Sequence, residues 1–232
     1  MQDIVTYKLD SGVATIQMDD GKVNVLSPRM IQDIGLAFDR ARTDQAAVVL
    51  TGRPGNLSAG FDRNVLLGGG PAAVEMLIAG FKLAERVLSF PRPVVVACPG
   101  HALAMGAFLM LAGDYRIGIH GAFKIGAPEV AIGLSMPRFG VEICKLRLAP
   151  TYLQRSVLNA EIYGPEQAVA AGFLDRVVAP EELASNALTT AAELAKLPAM
   201  AFALTKQRLR EDGLARLHQA IELDGADFSP ML

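Results

Sequence analysis

Residues 94–107 have the sequence VVVACPGHALAMGA, in which an apolar run ending at Ala97 leads directly into a segment rich in glycine and alanine. The apolar run is typical of a buried strand in a parallel sheet, and the small residues after it are typical of a helix start. Residues 48–62 repeat this order, with an apolar run up to Thr51 and then a junction, NLSAGFD. Parallel sheets bind their ligands beyond the carboxyl ends of the strands. We therefore predict an α/β fold with its site in the loops after Thr51 and Ala97.

The N-terminal segment has the pattern of a β-hairpin followed by a helix. Residues 4–7 and 13–18 are short β-prone runs, and the Asp-Ser-Gly between them is typical of a tight turn. Ser27 followed by Pro28 is the signature of a helix start, and Ile31, Ile34 and Phe38 then recur at helical spacing. We expect a helix over residues 28–42.

The remaining elements are predicted from apolar spacing and from proline. Strands are expected at residues 115–119 and 123–125, and a helix carries Leu77, Phe81, Ala84 and Leu88 on one face. From residue 137 the pattern is helical, with helix starts expected at Pro150, Pro165, Pro180 and Pro198. We predict an α/β core at residues 1–175 and a C-terminal helical region at residues 176–232, both within one structural unit.

The composition argues against several classes of function. The 232 residues are 51% hydrophobic and carry a formal net charge of −2. Acidic and basic residues are interspersed, which argues against a nucleic-acid or membrane partner. Residues 1–8 lack a secretion signal, and no apolar stretch reaches the roughly 18 residues of a membrane span, so we expect a cytoplasmic protein.

Neither the cysteines nor the common catalytic motifs indicate metal or nucleotide chemistry. Cys98 and Cys144 have no Cys or His at metal-ligand spacing, and we predict that both are small buried residues. The phosphate-binding loop and the HExxH, GxSxG and GxGxxG motifs are all absent. The sequence therefore gives no support to nucleotide hydrolysis or zinc catalysis.

The two glycine-rich junctions allow two interpretations from the residues alone. Small residues let a backbone approach a ligand closely, and free amides at a helix start can bind an anion. Two such junctions on neighbouring strands could place two amides around one oxygen. The same small residues also permit tight packing of a helix on a sheet, and spacing does not decide between the two.

Six short motifs occur in the order and approximate spacing of the crotonase (enoyl-CoA hydratase/isomerase) superfamily, and together they cover essentially the whole chain. The motifs are SAGFD at 58–62, PGHAL at 99–103, DYRI at 114–117, GAPE at 126–129, GPEQA at 164–168 and AGFLDRVV at 171–178. The chain thus resembles this superfamily.

The resemblance implies a fold, a substrate and a set of site residues. The fold would be a spiral of ββα units with a C-terminal helical region that forms trimers, or hexamers from paired trimers. The substrate would be an acyl-CoA thioester, with neither a metal nor a redox cofactor. The thioester oxygen would lie in an oxyanion hole made by the backbone amides of Phe61 and Met105, with Glu129 as acid/base. The expected CoA contacts are Lys22, Asn24, Ala59, Gly60 and Asp62.

Glu129 has a second interpretation if the resemblance is set aside, because a carboxylate on a loop is usually exposed to solvent. The apolar residues around it would instead bury it and raise its pKa towards the range of proton transfer. These neighbours are Ile125, Val130, Ile132 and Leu134.

Phe108 stands where the hydratases with two catalytic glutamates carry the first one. Hydration needs one group to activate water and another to deliver a proton, and phenylalanine does neither. Moving a double bond needs only one carboxylate, and the resemblance is to the single-glutamate Δ3,Δ2-enoyl-CoA isomerases. The alternatives are a hydratase, a thioester hydrolase, and a non-catalytic acyl-CoA-binding protein.

His101 directly follows Gly100 in the second junction. It could act as a further acid/base, since histidine titrates near neutral pH. It could equally have a packing or hydrogen-bonding role, and the sequence does not distinguish the two.

Overall fold

The structure is a computed structural model that describes residues 3–228, so residues 1, 2 and 229–232 of the two predicted regions lie outside it. A large sheet contains six strands in the order β1, β2, β3, β5, β7, β9. β1 and β2 are antiparallel, and each later strand is parallel to its neighbour. These strands are β1 Val5–Asp10, β2 Val13–Met18, β3 Ala47–Thr51, β5 Val94–Cys98, β7 Tyr115–Ile119 and β9 Arg176–Val178.

A second, smaller sheet contains three parallel strands in the order β4, β6, β8. They are β4 Gly55–Ser58, β6 Gly100–Leu103 and β8 Ile125–Gly126. The predicted hairpin and the apolar strands of the large sheet are confirmed. The junction after Ala97 was expected to enter a helix at once, which is wrong because β6 comes first. The strand expected at residues 123–125 is shifted to β8.

The helices follow the strands as the proline and apolar patterns predicted. Ser27 caps the first helix by accepting a hydrogen bond from Met30 N, and helices begin at Pro28, Pro150 and Pro165. They are α1 Pro28–Thr43, α2 Arg63–Gly68, α3 Gly70–Leu88, α4 Met105–Leu111, α5 Arg138–Arg147, α6 Pro150–Val157, α7 Pro165–Ala171, α8 Leu183–Ala195 and α9 Ala199–Phe228. Short 3-10 turns lie at Val130–Ile132 and Pro180–Glu182.

Strands of the two sheets alternate along the chain. β3 is followed by β4, β5 by β6 and β7 by β8, and helices follow each pair. This is the repeated ββα unit of the expected crotonase fold, which the structure confirms.

The C-terminal part of the chain begins with a strand, β9, where only helices were predicted. The division predicted at residue 175 falls just before β9, which pairs with β7 and completes that sheet. Leu183, Ala187 and Ala191 of α8 share a buried cluster with valines on one face of the sheet. α8 is therefore packed on the core, and the division of the chain into the two regions stays a prediction.

Asp114 links α9 to the large sheet at the start of β7. It lies just before β7 and accepts a hydrogen bond from Val94 N at 2.8 Å. Lys206 Nζ and Arg210 Nη2 of α9 reach the two oxygens of the same carboxylate at 2.8 and 3.0 Å. Burial lowers the pKa of Lys206 to about 8. This buried group links the sheet and the last helix through one side chain.

No single helix within residues 3–228 is long and apolar enough to span a membrane; Pro180–Ala195 and Ala199–Phe228 pass that test only as a pair bent by 100°.

Asp224 of α9 caps the start of α5. Its two carboxylate oxygens accept hydrogen bonds from Arg138 N and Phe139 N, each at 2.9 Å, and the residue is 3% exposed. The first amides of a helix have no acceptor within the helix, so this side chain satisfies two of them.

Replacing Asp224 should therefore destabilise the protein. We expect Asp224→Ala to lower the free energy of unfolding by about 2 kcal/mol, because two amides at a buried helix end lose their acceptor. Asp227→Ala, which removes the half-exposed Arg138–Asp227 ion pair, is the control and should change it by less than about 0.5 kcal/mol. Urea unfolding measures both, and equal effects would contradict this role for Asp224.

Candidate active site

Each strand of the small sheet leads into one of the predicted site residues. Phe61 lies three residues after the end of β4, and Met105 lies two residues after the end of β6. Glu129 lies three residues after the end of β8. Because the three strands are parallel neighbours, their carboxyl ends lie at one edge of the sheet. The site was expected after Thr51 and Ala97 of the large sheet, and it lies one strand further along the chain in both cases.

The backbone next to the Phe61 amide contacts the backbone at Met105. Gly60 has φ +96°, and a Cβ built on it would lie 2.9 Å from Ala104 Cβ and 3.5 Å from Met105 N. Met105 is the first residue of α4, so its N–H has no acceptor within the helix. The two amides are thus neighbours in space. That they bind an oxyanion stays a prediction.

Ser58 holds the first of these turns in place. Its hydroxyl donates to Asn24 O at 2.7 Å and accepts from Gly60 N at 3.2 Å. A Cβ on Gly106 would lie 2.4 Å from Ser58 O, so the second turn packs directly on the first. The close approach depends on the absence of a side chain at Gly106.

The predicted CoA contacts fall into two groups. Asn24 is buried, and its amide donates to Met18 O and Leu57 O at 3.0 and 3.2 Å, so its side chain holds the loop from inside. Lys22 and Ala59 are exposed beside it. Gly60 is buried in the turn, and Asp62 caps α2 by accepting from Asn64 N. Hydrogen bonds within the chain therefore hold this loop in place. Contact between these residues and CoA stays a prediction.

Glu129 is a buried carboxyl group. It is 7% exposed, and within the described residues no group hydrogen-bonds to its buried Oε2. Burial raises the pKa of Glu129 from 4.5 to about 7. The Glu129 charge in turn helps to raise the pKa of Cys144 on α5, after the larger effect of burial. An acid of this pKa can both accept and donate a proton near neutral pH.

Of the four neighbours that were expected to bury Glu129, only one is itself buried. Ile125 is buried, but Val130, Ile132 and Leu134 are 42, 64 and 54% exposed. The prediction for these three residues is wrong because the chain turns outward directly after Glu129. No motif connects Glu129 with Cys144, which lies on a helix that starts nine residues after Glu129. Both cysteines are buried, as predicted.

Phe108 belongs to a row of aromatic rings that leads from the amides into the core. The rings of Phe61 and Phe81 meet at 5.9 Å, those of Phe81 and Phe139 stack at 4.5 Å, and Phe139 meets Phe108 at 6.0 Å. Phe108 is 1% exposed. The Phe108 side chain therefore lies in a tightly packed, apolar part of the core. Phe139 and Gly140, which touch Phe108, were not singled out because no motif marks them.

His101 is used in a structural hydrogen bond. Its Nδ1 accepts from Lys124 N at 2.9 Å, and its ring meets the edge of Phe123 at 5.4 Å. These contacts support the packing interpretation. In the described part of the chain, no group of three or more His, Cys, Asp or Glu side chains could hold a metal ion.

The fold brings two backbone amides and a buried carboxyl group to one edge of a small parallel sheet. A model of the family "Enoyl-CoA hydratase/isomerase" matches residues 8–231. The chain belongs to this family, the crotonase superfamily, whose substrates are acyl-CoA thioesters.

Solved structures named as isomerases and as hydratases resemble the chain about equally. A family member from Pseudomonas syringae is 48% identical, with 97% of this chain and 98% of that chain covered and a TM-score of 0.95. A Mycobacterium tuberculosis protein whose structure is named as an enoyl-CoA isomerase is 44% identical, with 98% and 100% covered and a TM-score of 0.94. Another structure of that protein is named as a probable enoyl-CoA hydratase, EchA3. The enoyl-CoA hydratase EchA3 from Mycobacterium marinum is 43% identical, with 97% and 100% covered and a TM-score of 0.94. These similarities establish the family of the chain. They do not decide between isomerisation and hydration.

The contact between the two turns gives a direct test of the amides. We expect Gly60→Ala to lower kcat on an enoyl-CoA substrate about a hundredfold, as the loss of one oxyanion donor does, because the new Cβ pushes the turns apart. Gly12→Ala is the matched control, since Gly12 also has a positive φ, +79°, but nothing within 4 Å of its Cβ position. Steady-state kinetics at equal folded fraction measures both, and an active Gly60→Ala protein would argue against the paired amides.

Proposed function

We propose that the protein moves the double bond of a 3-enoyl-CoA to the 2-position. The observation that carries this proposal is the isolation of Glu129. It is buried, its Oε2 has no hydrogen-bond partner among the described residues, and Phe108 stands at the position of a second catalytic glutamate. A single carboxyl group can carry out both proton transfers of this reaction.

In the proposed reaction the thioester oxygen accepts hydrogen bonds from the amides of Phe61 and Met105. The Glu129 carboxylate removes a proton from C2, and the electron pair of that C–H bond forms a dienolate whose charge rests on the thioester oxygen. The same carboxyl group returns the proton to C4. The double bond between C3 and C4 is replaced by one between C2 and C3, and Glu129 is a carboxylate again.

The surroundings of the site favour this proton transfer over the addition of water. The aromatic row that leads from Phe61 to Phe108 carries no group that could orient a water molecule. In a dry site the attraction between the amides and a developing oxyanion is stronger than in water. A pKa of about 7 lets Glu129 remove and return a proton at neutral pH.

Hydration is the second candidate function, because a structure named as a hydratase is 43% identical to this chain. Hydrolysis of the thioester would use the same carboxylate to activate water towards the carbonyl. A non-catalytic acyl-CoA binder would show none of the three activities.

The assembly is also a matter of proposal. We infer a homotrimer, or a hexamer of two trimers, from the family resemblance. Large apolar side chains that are exposed on α9 support an interface there. They are Met200, Leu204, Leu209 and Leu223.

Three thioesters distinguish the three reactions. We expect the absorbance of a conjugated enoyl thioester to appear with 3-enoyl-CoA. We expect no loss of that absorbance with 2-enoyl-CoA and no free thiol with saturated acyl-CoA. Glu129→Gln should lower kcat at least about a hundredfold, as loss of a general base does, and keep its affinity for saturated acyl-CoA. Glu166→Gln, at an exposed glutamate, is the matched control. Hydration of 2-enoyl-CoA or thiol release would overturn the proposal.

The pKa of Glu129 sets an expected pH profile. The reaction starts with the carboxylate, which is protonated as the pH falls through about 7. We therefore expect kcat/KM to be half-maximal near pH 7 and to fall about tenfold for each unit below it. Initial rates from pH 5.5 to 9, with unfolding checked at each pH, measure the profile. A rate that stays constant down to pH 5.5 would mean that Glu129 titrates like an exposed glutamate and is not the buried base.

A further inference from the structure

Residues 130–136, VAIGLSM, form an uncharged segment that directly follows Glu129, and we call it the apolar loop. Its position is tied to Glu129, because Ile132 N and Leu134 N both donate to Glu129 O, at 3.1 and 2.9 Å. The loop therefore extends the wall of the site. Whatever binds beside the carboxyl group of Glu129 lies next to it.

The apolar loop presents large aliphatic side chains to solvent. Val130, Ile132 and Leu134 are 42, 64 and 54% exposed. Their neighbours Ala131, Gly133 and Ser135 are also exposed, and none of the six carries a charge. Three adjacent exposed aliphatic side chains without a charged residue mark a surface that binds an apolar partner.

The interior behind Glu129 is closed to a long ligand. Cys144 on α5 is 0% exposed. One turn earlier on α5, the space over Gly140 is already filled, because a Cβ there would lie 2.8 Å from Met136 Sδ and 2.9 Å from Phe108 Cζ. Among the described residues, this packing leaves no room for an acyl chain on the α5 side of the site. The chain must leave across the surface of the site.

We propose that the apolar loop binds the acyl chain beyond C4, and that the protein selects thioesters whose chains are long enough to cover the loop. This inference rests on the proposed function, which places C2 and C4 beside Glu129. Burying the exposed side chains under the acyl chain removes apolar surface from water on both partners. Met136, at the end of the loop, has a flexible side chain that can adapt to chains of different length.

The test compares chain lengths on a loop variant and on a matched control. The loop variant is Ile132→Ser/Leu134→Ser, and the control is Leu36→Ser/Leu158→Ser, two leucines elsewhere that are 58 and 60% exposed. Titration calorimetry measures the affinity for hexanoyl-CoA and dodecanoyl-CoA, and kinetics measures kcat/KM on 3-enoyl-CoA substrates of the same lengths.

We expect the native protein to bind dodecanoyl-CoA at least about tenfold more tightly than hexanoyl-CoA, since each added methylene buries apolar surface. The loop variant should lose most of this difference while its values for the six-carbon ligands stay within about twofold. The control should keep the full difference.

Three results would overturn the inference. They are equal affinity of the native protein for both lengths, an equal loss at both lengths in the loop variant, and a change in oligomeric state of the loop variant by light scattering. The last result would show that the loop is covered by another copy of the chain. Because calorimetry uses saturated thioesters, a length-dependent affinity without isomerisation would reject the proposed function and leave this inference standing.

Discussion

The site depends on one close contact, the packing of the turn after β4 on the turn after β6. A Cβ at Gly106 would lie 2.4 Å from Ser58 O, and one at Gly60 would lie 2.9 Å from Ala104 Cβ. Any side chain at either position separates the backbone segments that carry the amides of Phe61 and Met105. Much of the surrounding structure, from the Ser58 hydroxyl to the buried amide of Asn24, serves to keep these segments together.

Five strands of the large sheet could be predicted from the sequence, whereas β9 and most of the small sheet could not. β3 and β5 are continuous apolar runs because both of their faces are buried, and such runs are easily recognised. β4 and β6 read GNLS and GHAL, which are short, begin with glycine and have no clear alternation. Their β-structure comes from pairing with each other and with β8, which is a tertiary effect. The junctions were therefore recognised as important but were assigned to the wrong strand ends.

Individual site residues came from the family resemblance, and their surroundings came only from the structure. Glu129 matched a motif, but its burial and its effect on the pKa of Cys144 of α5 follow from no local pattern. The same holds for Gly140, whose missing side chain makes room for Phe108 and Met136. Contacts between segments that are distant in sequence leave little trace in any one segment. This is why the aliphatic residues after Glu129 were expected inside and are found outside.

The buried Glu129 carboxyl group also makes ionisation and folding oppose each other. Its pKa is raised from 4.5 to about 7 by burial, so the folded state prefers the neutral acid. The stability that this preference contributes is fully present below pH 4.5 and is lost as the pH rises through about 7. Ionising the group in the folded protein costs up to roughly 3 kcal/mol relative to an exposed glutamate. The carboxylate that starts the reaction is thus the less favourable of the two ionisation states of Glu129 in the folded protein. The active form of the enzyme therefore has a lower free energy of unfolding than the form in which Glu129 is protonated.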